Sequence, residues 1–198
     1  MWDHIFYGQI ATLIIILAYF PYIISILKNR AEPDKTTWLV FSLMGIITFI
    51  AYREVGAHAT LGVALANIVG PFIVFLLSLK FSNWNDKNDF KYLIFSLIAI
   101  VLWKVFDSPL LGLTFNLLAD FIAFIPTIVK SFLAPKTEDF LAWGLFTIGN
   151  IVSLFAIEQW SFSIAIYPLY LLITEGIVVL LLLTSYFNKS NINLLQKK

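Results

Sequence analysis

Four polar residues lie deep inside long apolar segments of this chain: Asp120, Glu175, Asn67 and Asn150. A charged carboxylate at the centre of a hydrocarbon layer costs at least about 2.5 kcal/mol, so we expect these side chains to face a cavity or a partner within the protein. A carboxylate in such a place can take up a proton while a substrate binds, or it can act as counter-ion to a cationic substrate. The sequence leaves both uses open.

Further polar residues accompany these groups at helical spacing. Asn116 and Asp120 stand at i and i+4, and Thr147 and Asn150 stand at i and i+3, so each pair shares one face of a helix. We predict proton coupling through Asp120 and Glu175, although the same groups can instead fix helix packing by hydrogen bonds between helices. The predicted substrate-binding residues are Asp120, Asn116, Asn150, Asn67, Glu175, Thr147 and Tyr170.

The composition indicates which class of protein holds these residues. Of the 198 residues, 60% are hydrophobic and 13% are charged, whereas about 25% of the residues in a typical soluble domain are charged. With a mean hydropathy of +0.89, the chain is predicted to be an all-α integral membrane protein. It has no cysteine, two histidines and no Gly-rich phosphate loop. We therefore expect no enzyme, no metal or other cofactor and no nucleic-acid partner, only membrane lipid and a small-molecule substrate.

Seven apolar runs have roughly the length that a membrane-spanning helix needs. The first run has no basic segment before it and no cleavage signal, so we expect a retained helix rather than a signal peptide. The predicted bounds are 3–27, 36–54, 59–79, 90–106, 109–133, 139–157 and 162–186.

The distribution of basic residues predicts how these helices are oriented. Of the 13 lysines and arginines, all but Arg53 and Lys104 fall in or near the loops after the first, third and fifth runs or in the C-terminal tail. Cytoplasmic loops are enriched in lysine and arginine. The N-terminus is therefore predicted to lie outside and the C-terminus in the cytoplasm.

An internal repeat relates the two halves of the chain. Pro21 and Pro126, like Trp38 and Trp143, are separated by 105 residues, and the surrounding segments align without a gap. Because this offset equates runs one to three with runs five to seven, we predict two parallel three-helix bundles joined by an inverting linker helix, a 3+1+3 layout. The predicted units are a first three-helix bundle at 1–81, a linker loop and helix at 82–106, a second three-helix bundle at 107–187 and a cytoplasmic tail at 188–198.

A proline near the cytoplasmic end of the first helix of each half, then a short basic loop and an aromatic-rich helix, resembles the SWEET and PQ-loop transporter superfamily. The family's Pro-Gln dipeptide stands here as Pro21-Tyr22 and Pro126-Thr127, which favours a divergent, prokaryotic branch. In sugar-carrying relatives, asparagines on the third and seventh helices line the site. Asn67 matches the first of these, and the second is missing.

The resemblance implies a transporter in the bacterial inner membrane. We expect it to carry a small polar or cationic metabolite by alternating access, with Pro21 and Pro126 as hinges because proline removes a hydrogen bond within its helix. A SWEET-like sugar facilitator is one alternative. A receptor or sorting protein of the same fold, similar to the KDEL receptor, is another. A single chain holds both halves of a pathway, and a homo-oligomer stays open.

Overall fold

The structure is a computed structural model that describes residues 2–54, 56–82, 89–105 and 109–195. The described residues form seven α-helices and no strand. Short 3-10 helices at His58–Thr60 and Pro135–Thr137 precede the third and sixth α-helices. The α-helices are α1 (Trp2–Leu27), α2 (Lys35–Glu54), α3 (Leu61–Phe81), α4 (Asp89–Val105), α5 (Pro109–Leu133), α6 (Phe140–Phe155) and α7 (Phe162–Leu195).

The predicted all-α architecture is confirmed, and helix length and hydropathy fit an integral membrane protein. The helix α6, with 16 residues, is apolar but shorter than the others; at 1.5 Å per residue it extends about 24 Å. Within the described part of the chain, five segments are long and apolar enough to cross a membrane: Asp3–Leu27, Lys35–Glu54, His58–Phe81, Thr114–Leu133 and Phe162–Ser185.

The helices begin and end close to the predicted bounds, and the main difference lies at the C-terminus. There α7 continues to Leu195, through most of the segment 188–198 that the sequence analysis assigns to a separate tail. The segment 186–195 contains neither proline nor glycine, so nothing in its backbone chemistry ends the helix after the apolar run. Residues 196–198 lie outside the described part of the chain.

The helices contact one another in a repeating pattern. The helix α3 packs against both α1 and α2, and α7 packs in the same way against both α5 and α6. Between these two sets, α1 packs against α6 and α2 packs against α5. The remaining helix, α4, contacts α5 and, over a smaller area, α2.

Connecting segments meet at the two ends of the bundle. At the end that we call the lower end, the backbone N–H of Glu32 donates to the carbonyl of Thr137 at 2.9 Å, which joins segment 28–34 to segment 134–139. At the upper end, the hydroxyl of Tyr52 donates to the carbonyl of Ile164 at 2.8 Å. The end of α2 therefore meets the beginning of α7.

The lower end is also where two aspartates begin their helices. Oδ1 of Asp34 accepts from the N–H of Thr37 at 2.7 Å at the start of α2, and Oδ1 of Asp139 accepts from the N–H of Ala142 at 2.8 Å at the start of α6. Side-chain caps of this kind stabilise a helix by about 1 kcal/mol. Asp34 and Asp139 are 105 residues apart, so the repeat offset is visible in the local structure of the two helices.

Gly45 permits the close packing of α2 on α3. A Cβ atom at this position would overlap the backbone carbonyl of Asn67, and it would lie 2.8 Å from the carbonyl carbon. A Cβ atom at Gly144 would meet no atom within 4 Å. The two glycines therefore have opposite tolerance for a methyl group.

We predict that Gly45→Ala destabilises the protein by about 1–3 kcal/mol, because the added methyl group pushes α2 away from α3. Gly144→Ala should be neutral or stabilising by up to about 1 kcal/mol, since alanine is the better helix former. Thermal unfolding of the two variants in the same detergent provides the comparison. Equal melting temperatures for the two variants would contradict the packing argument.

Candidate functional site

A small cavity lies where six of the helices meet. Its volume is about 30 Å³, enough for one or two water molecules and too little for a metabolite. Its polar lining comes from Asn67 on α3, Asp120 on α5 and Glu175 on α7. The rest of the lining is Tyr19, Trp38, Phe41, Pro71, Trp143, Phe146, Tyr167 and Leu171.

Asp120 is held in the cavity wall by a tyrosine from another helix. Its side chain is on α5 and is only 3% exposed. The hydroxyl of Tyr170, on α7, donates to Oδ2 of Asp120 at 2.7 Å. The other oxygen, Oδ1, accepts no hydrogen bond from the described residues. Asp120 thus faces the protein interior, as the sequence analysis expected, and keeps one oxygen for a further partner.

Glu175 has an equivalent arrangement on α7. Nδ2 of Asn150, on α6, donates to Oε2 of Glu175 at 2.6 Å and also to the carbonyl of Phe146 at 3.2 Å. Asn150 is 1% exposed and does not line the cavity. Its amide therefore orients Glu175 and stands behind the cavity wall.

Asn67 is the third polar residue of the lining. Oδ1 of Asn67 accepts from the hydroxyl of Tyr19 at 3.3 Å. Close packing sets the positions of both partners: Gly45 lies against the Asn67 backbone, and a Cβ at Gly70 would overlap the Tyr19 ring. Small residues on α2 and α3 thus bring this pair to the cavity.

Two of the predicted substrate-binding residues make bonds away from the cavity. Nδ2 of Asn116 donates to Oγ1 of Thr48 at 3.1 Å, which links α5 to α2. Oγ1 of Thr147 donates to the carbonyl of Trp143 within its own helix at 2.9 Å. In this conformation, therefore, neither side chain reaches the cavity.

Aromatic residues form most of the cavity wall, and the sequence analysis did not place Tyr19, Phe41 or Phe146 in the site. The rings of Tyr19 and Phe146 lie 4.7 Å apart between centroids, and those of Trp38 and Trp143 lie 6.0 Å apart. The tryptophans recur at the repeat offset of 105 residues, as do Phe41 and Phe146. This recurrence could have identified the tryptophans and the two phenylalanines as site residues from the sequence. No comparable pattern in the sequence marks Tyr19.

A buried ion pair closes the lower end beneath the cavity. Nζ of Lys130 lies 2.6 Å from Oε1 of Glu138, and both side chains are fully buried. Oε2 of Glu138 accepts from the hydroxyl of Tyr22 and from Nε1 of Trp143, each at 2.8 Å. Lys130 also donates to the carbonyl of Glu32. The sequence analysis counted Lys130 among the charges of the cytoplasmic side, and the structure places it inside the protein at that end.

The two predicted hinge prolines lie next to this cluster. Pro21 is inside α1 and Pro126 is inside α5, and each helix continues beyond its proline. Tyr22 follows Pro21 directly, and Lys130 stands one turn after Pro126. The helix segments that begin at the prolines therefore carry side chains of the buried ion pair and its hydrogen bonds.

Comparison with known proteins identifies no relative: no family model matches the chain, and neither a curated protein nor a solved structure matches it. The residues and the geometry described above are therefore the basis for inferring a function.

Loss of one member of the ion pair should destabilise the protein strongly. Glu138→Gln leaves Lys130 buried without its counter-charge, which typically costs about 3–5 kcal/mol. The double variant Lys130→Met with Glu138→Gln removes the unpaired charge and should unfold at a higher temperature than Glu138→Gln alone. Unfolding in detergent is the measurement, with Glu54→Gln, an exposed acid at the end of α2, as control. A Glu138→Gln variant as stable as Glu54→Gln would contradict the argument.

Proposed function

We propose that this protein is a membrane transporter that moves a small polar or cationic metabolite by alternating access. The observation that carries the proposal is the central cavity, which is lined by two carboxylates in an apolar bundle and lies between two sets of hydrogen bonds that join helices. Acidic groups within a membrane-embedded bundle occur mainly where ions, protons or substrates pass.

We propose further that α1–α3 and α5–α7 are parallel three-helix bundles and that α4 is the inverting linker. The repeated contacts support this: α3 packs on α1 and α2 as α7 packs on α5 and α6, and the contacts between sets exchange partners. The segment that follows α1 also meets the last turn of α5, through the Glu32 carbonyl and the Lys130 side chain. Such a layout puts the cavity between two bodies that can rock against each other.

The lower end is proposed to face the cytoplasm of a bacterial cell, with the N-terminus outside. Lys28, Arg30 and Lys136 are exposed at that end, and exposed basic residues favour the cytoplasmic side. The buried pair of Lys130 and Glu138 would then form part of the inner gate.

Bonds between helices lie on both sides of the cavity, and the proposed cycle breaks them in turn. The lower end is closed by the Lys130–Glu138 cluster and by the bond from Ser25 to Asp139. Towards the upper end, Asn116 bonds to Thr48. Substrate entry requires one of these sets to break while the other holds, and bending of α1 and α5 at their prolines would break the lower set.

Alternating access can be tested by a removable crosslink, because the chain has no cysteine. The backbones of Glu32 and Thr137 are joined by a hydrogen bond of 2.9 Å, a proximity that suits a disulfide. We predict that Glu32→Cys with Thr137→Cys, reconstituted in liposomes, loses substrate counterflow on oxidation and regains it on reduction. Substrates are first found by a thermal-shift screen of metabolites at two pH values.

The single variants Glu32→Cys and Thr137→Cys serve as controls and should be unaffected by oxidant. Undiminished counterflow through the crosslinked protein would exclude movement at the lower end. Saturable binding without any counterflow by the unmodified protein would instead favour a receptor, and counterflow of a sugar would favour a facilitator.

Proton coupling is the second test of the proposed function. Asp120→Asn should abolish substrate accumulation driven by a pH gradient, because the amide cannot carry the proton, whereas counterflow without a gradient should remain measurable at saturating substrate concentration. The titratable groups that face Asp120 are Tyr170, Tyr167, Tyr19 and Glu175, and the described residues that line the cavity include no lysine, arginine or histidine. Uptake against a concentration gradient by Asp120→Asn would rule out this role, and Asp3→Asn, an exposed acid, is the matched control.

A further inference from the structure

The chemistry of the cavity wall points to one class of ligand. We propose that the cavity, widened as the helices move apart, binds an organic monocation through an alkylated ammonium group, held among aromatic rings with one of the two acids, Asp120 or Glu175, as counter-charge and a proton on the other. This inference rests on the proposed function and narrows its substrate class. It excludes sugars and anions as the principal ligands of this cavity.

The cavity lining, as far as the structure describes it, has acidic side chains without basic ones to balance them. Asp120 and Glu175 both line the cavity, and among the residues that the structure describes no cationic side chain lines it with them. The buried lysine of the lower end, Lys130, lies 2.6 Å from Glu138 and is thereby paired with another acid. Carboxylates in a low-dielectric interior require a positive partner or a proton. A cationic ligand supplies that partner, whereas an anionic ligand would add to the repulsion.

Each of the two acids keeps one carboxylate oxygen free to interact with a ligand. The hydroxyl of Tyr170 bonds to one oxygen of Asp120, and the amide of Asn150 bonds to one oxygen of Glu175. The remaining oxygens, Oδ1 of Asp120 and Oε1 of Glu175, accept no hydrogen bond from the described residues. Both acids are thus held in place by donors and still direct an acceptor to the ligand. Each of these oxygens directs negative charge into the cavity, which attracts a cation with or without N–H donors and repels an anion.

The aromatic character of the lining favours an alkylated ammonium group over a primary amine. A primary ammonium group has three N–H donors to satisfy, whereas a quaternary ammonium group has none and is recognised by aromatic faces. Six aromatic rings contribute to this lining against three polar side chains. The rings form a continuous wall, since Trp38 lies 5.7 Å from Phe41 and 6.0 Å from Trp143 between ring centroids. This ratio favours the alkylated cation.

The experiment uses a pair of probes that differ in charge alone. Choline and its neutral carbon isostere, 3,3-dimethylbutan-1-ol, are titrated by calorimetry into the purified full-length protein in detergent. We expect saturable binding of choline and at least about tenfold weaker binding of the isostere, because only choline gains the counter-charge and the cation–π contacts. Tetramethylammonium should behave as choline does, and glucose should not bind.

Two variants test the two parts of the site. Asp120→Asn should weaken choline binding by about tenfold or more and leave the isostere unaffected, with Asp3→Asn as control. Phe146→Leu keeps an apolar side chain of similar size and removes one ring, so choline binding should weaken by about 2- to 30-fold. Its control is Phe140→Leu, an exposed ring at the start of the same helix. Because each variant is judged by its ratio of choline to isostere affinity, partial loss of folded protein does not imitate the effect.

Three results would overturn the proposal. They are equal affinities for choline and its isostere, absence of binding by both cations at millimolar concentration, and glucose binding that Asp120→Asn leaves intact. The proposed transport is tested separately, because the titration needs no membrane. Selective binding of the cations without counterflow supports this inference and counts against the transporter. Counterflow of a neutral solute by a protein that binds neither cation would support the transporter and count against this inference.

Discussion

The two carboxylates at the centre of this bundle each depend on a hydrogen-bond donor from another helix, because the surrounding apolar residues and lipid offer none. Asp120 is bonded by Tyr170 from α7, and Glu175 is bonded by Asn150 from α6. These bonds connect α5, α6 and α7 around the cavity, so the groups that give the site its chemistry also hold its walls together. A ligand that displaced either bond would loosen helix packing, and this coupling gives binding a route to conformational change.

The repeat shows what stands in the first half at the position of Glu175 and of the amide that binds it. At the offset of 105 residues, Asn150 corresponds to Gly45 and Glu175 corresponds to Gly70. In the first half, Gly45 lies against the backbone of Asn67 and Gly70 lies under the ring of Tyr19. In the second half, a hydrogen-bonded amide and acid replace this close glycine packing. The contact between α2 and α3 thus depends on glycine packing, and the corresponding contact between α6 and α7 depends on a hydrogen bond. Only the second contact brings an acid into the bundle.

At the lower end, too, corresponding positions of the two halves carry different polar residues. Ser25 on α1 bonds to Asp139, whereas the residue at its repeat position, Lys130, pairs with Glu138. A lysine with both its charge and its stem buried is stable only with a counter-charge and further hydrogen bonds. Trp143 donates to that same Glu138 and also lines the cavity, so the closure of the lower end and the shape of the central site are physically linked.

The sequence by itself determined the helices and the depth of the acids. Hydrophobic run length predicts the bounds of α1 to α6 to within two residues, because an apolar helix ends where polar or helix-breaking residues begin, and the cost of an exposed carboxylate in lipid predicts that Asp120 points inward. Which polar groups meet was decided only by the tertiary structure. Asn116 and Asp120 share a helix face, yet one bonds to Thr48 and the other lines the cavity. The reason is that helical periodicity specifies a direction on one helix, whereas a contact also requires the distance, tilt and side chains of the neighbouring helix.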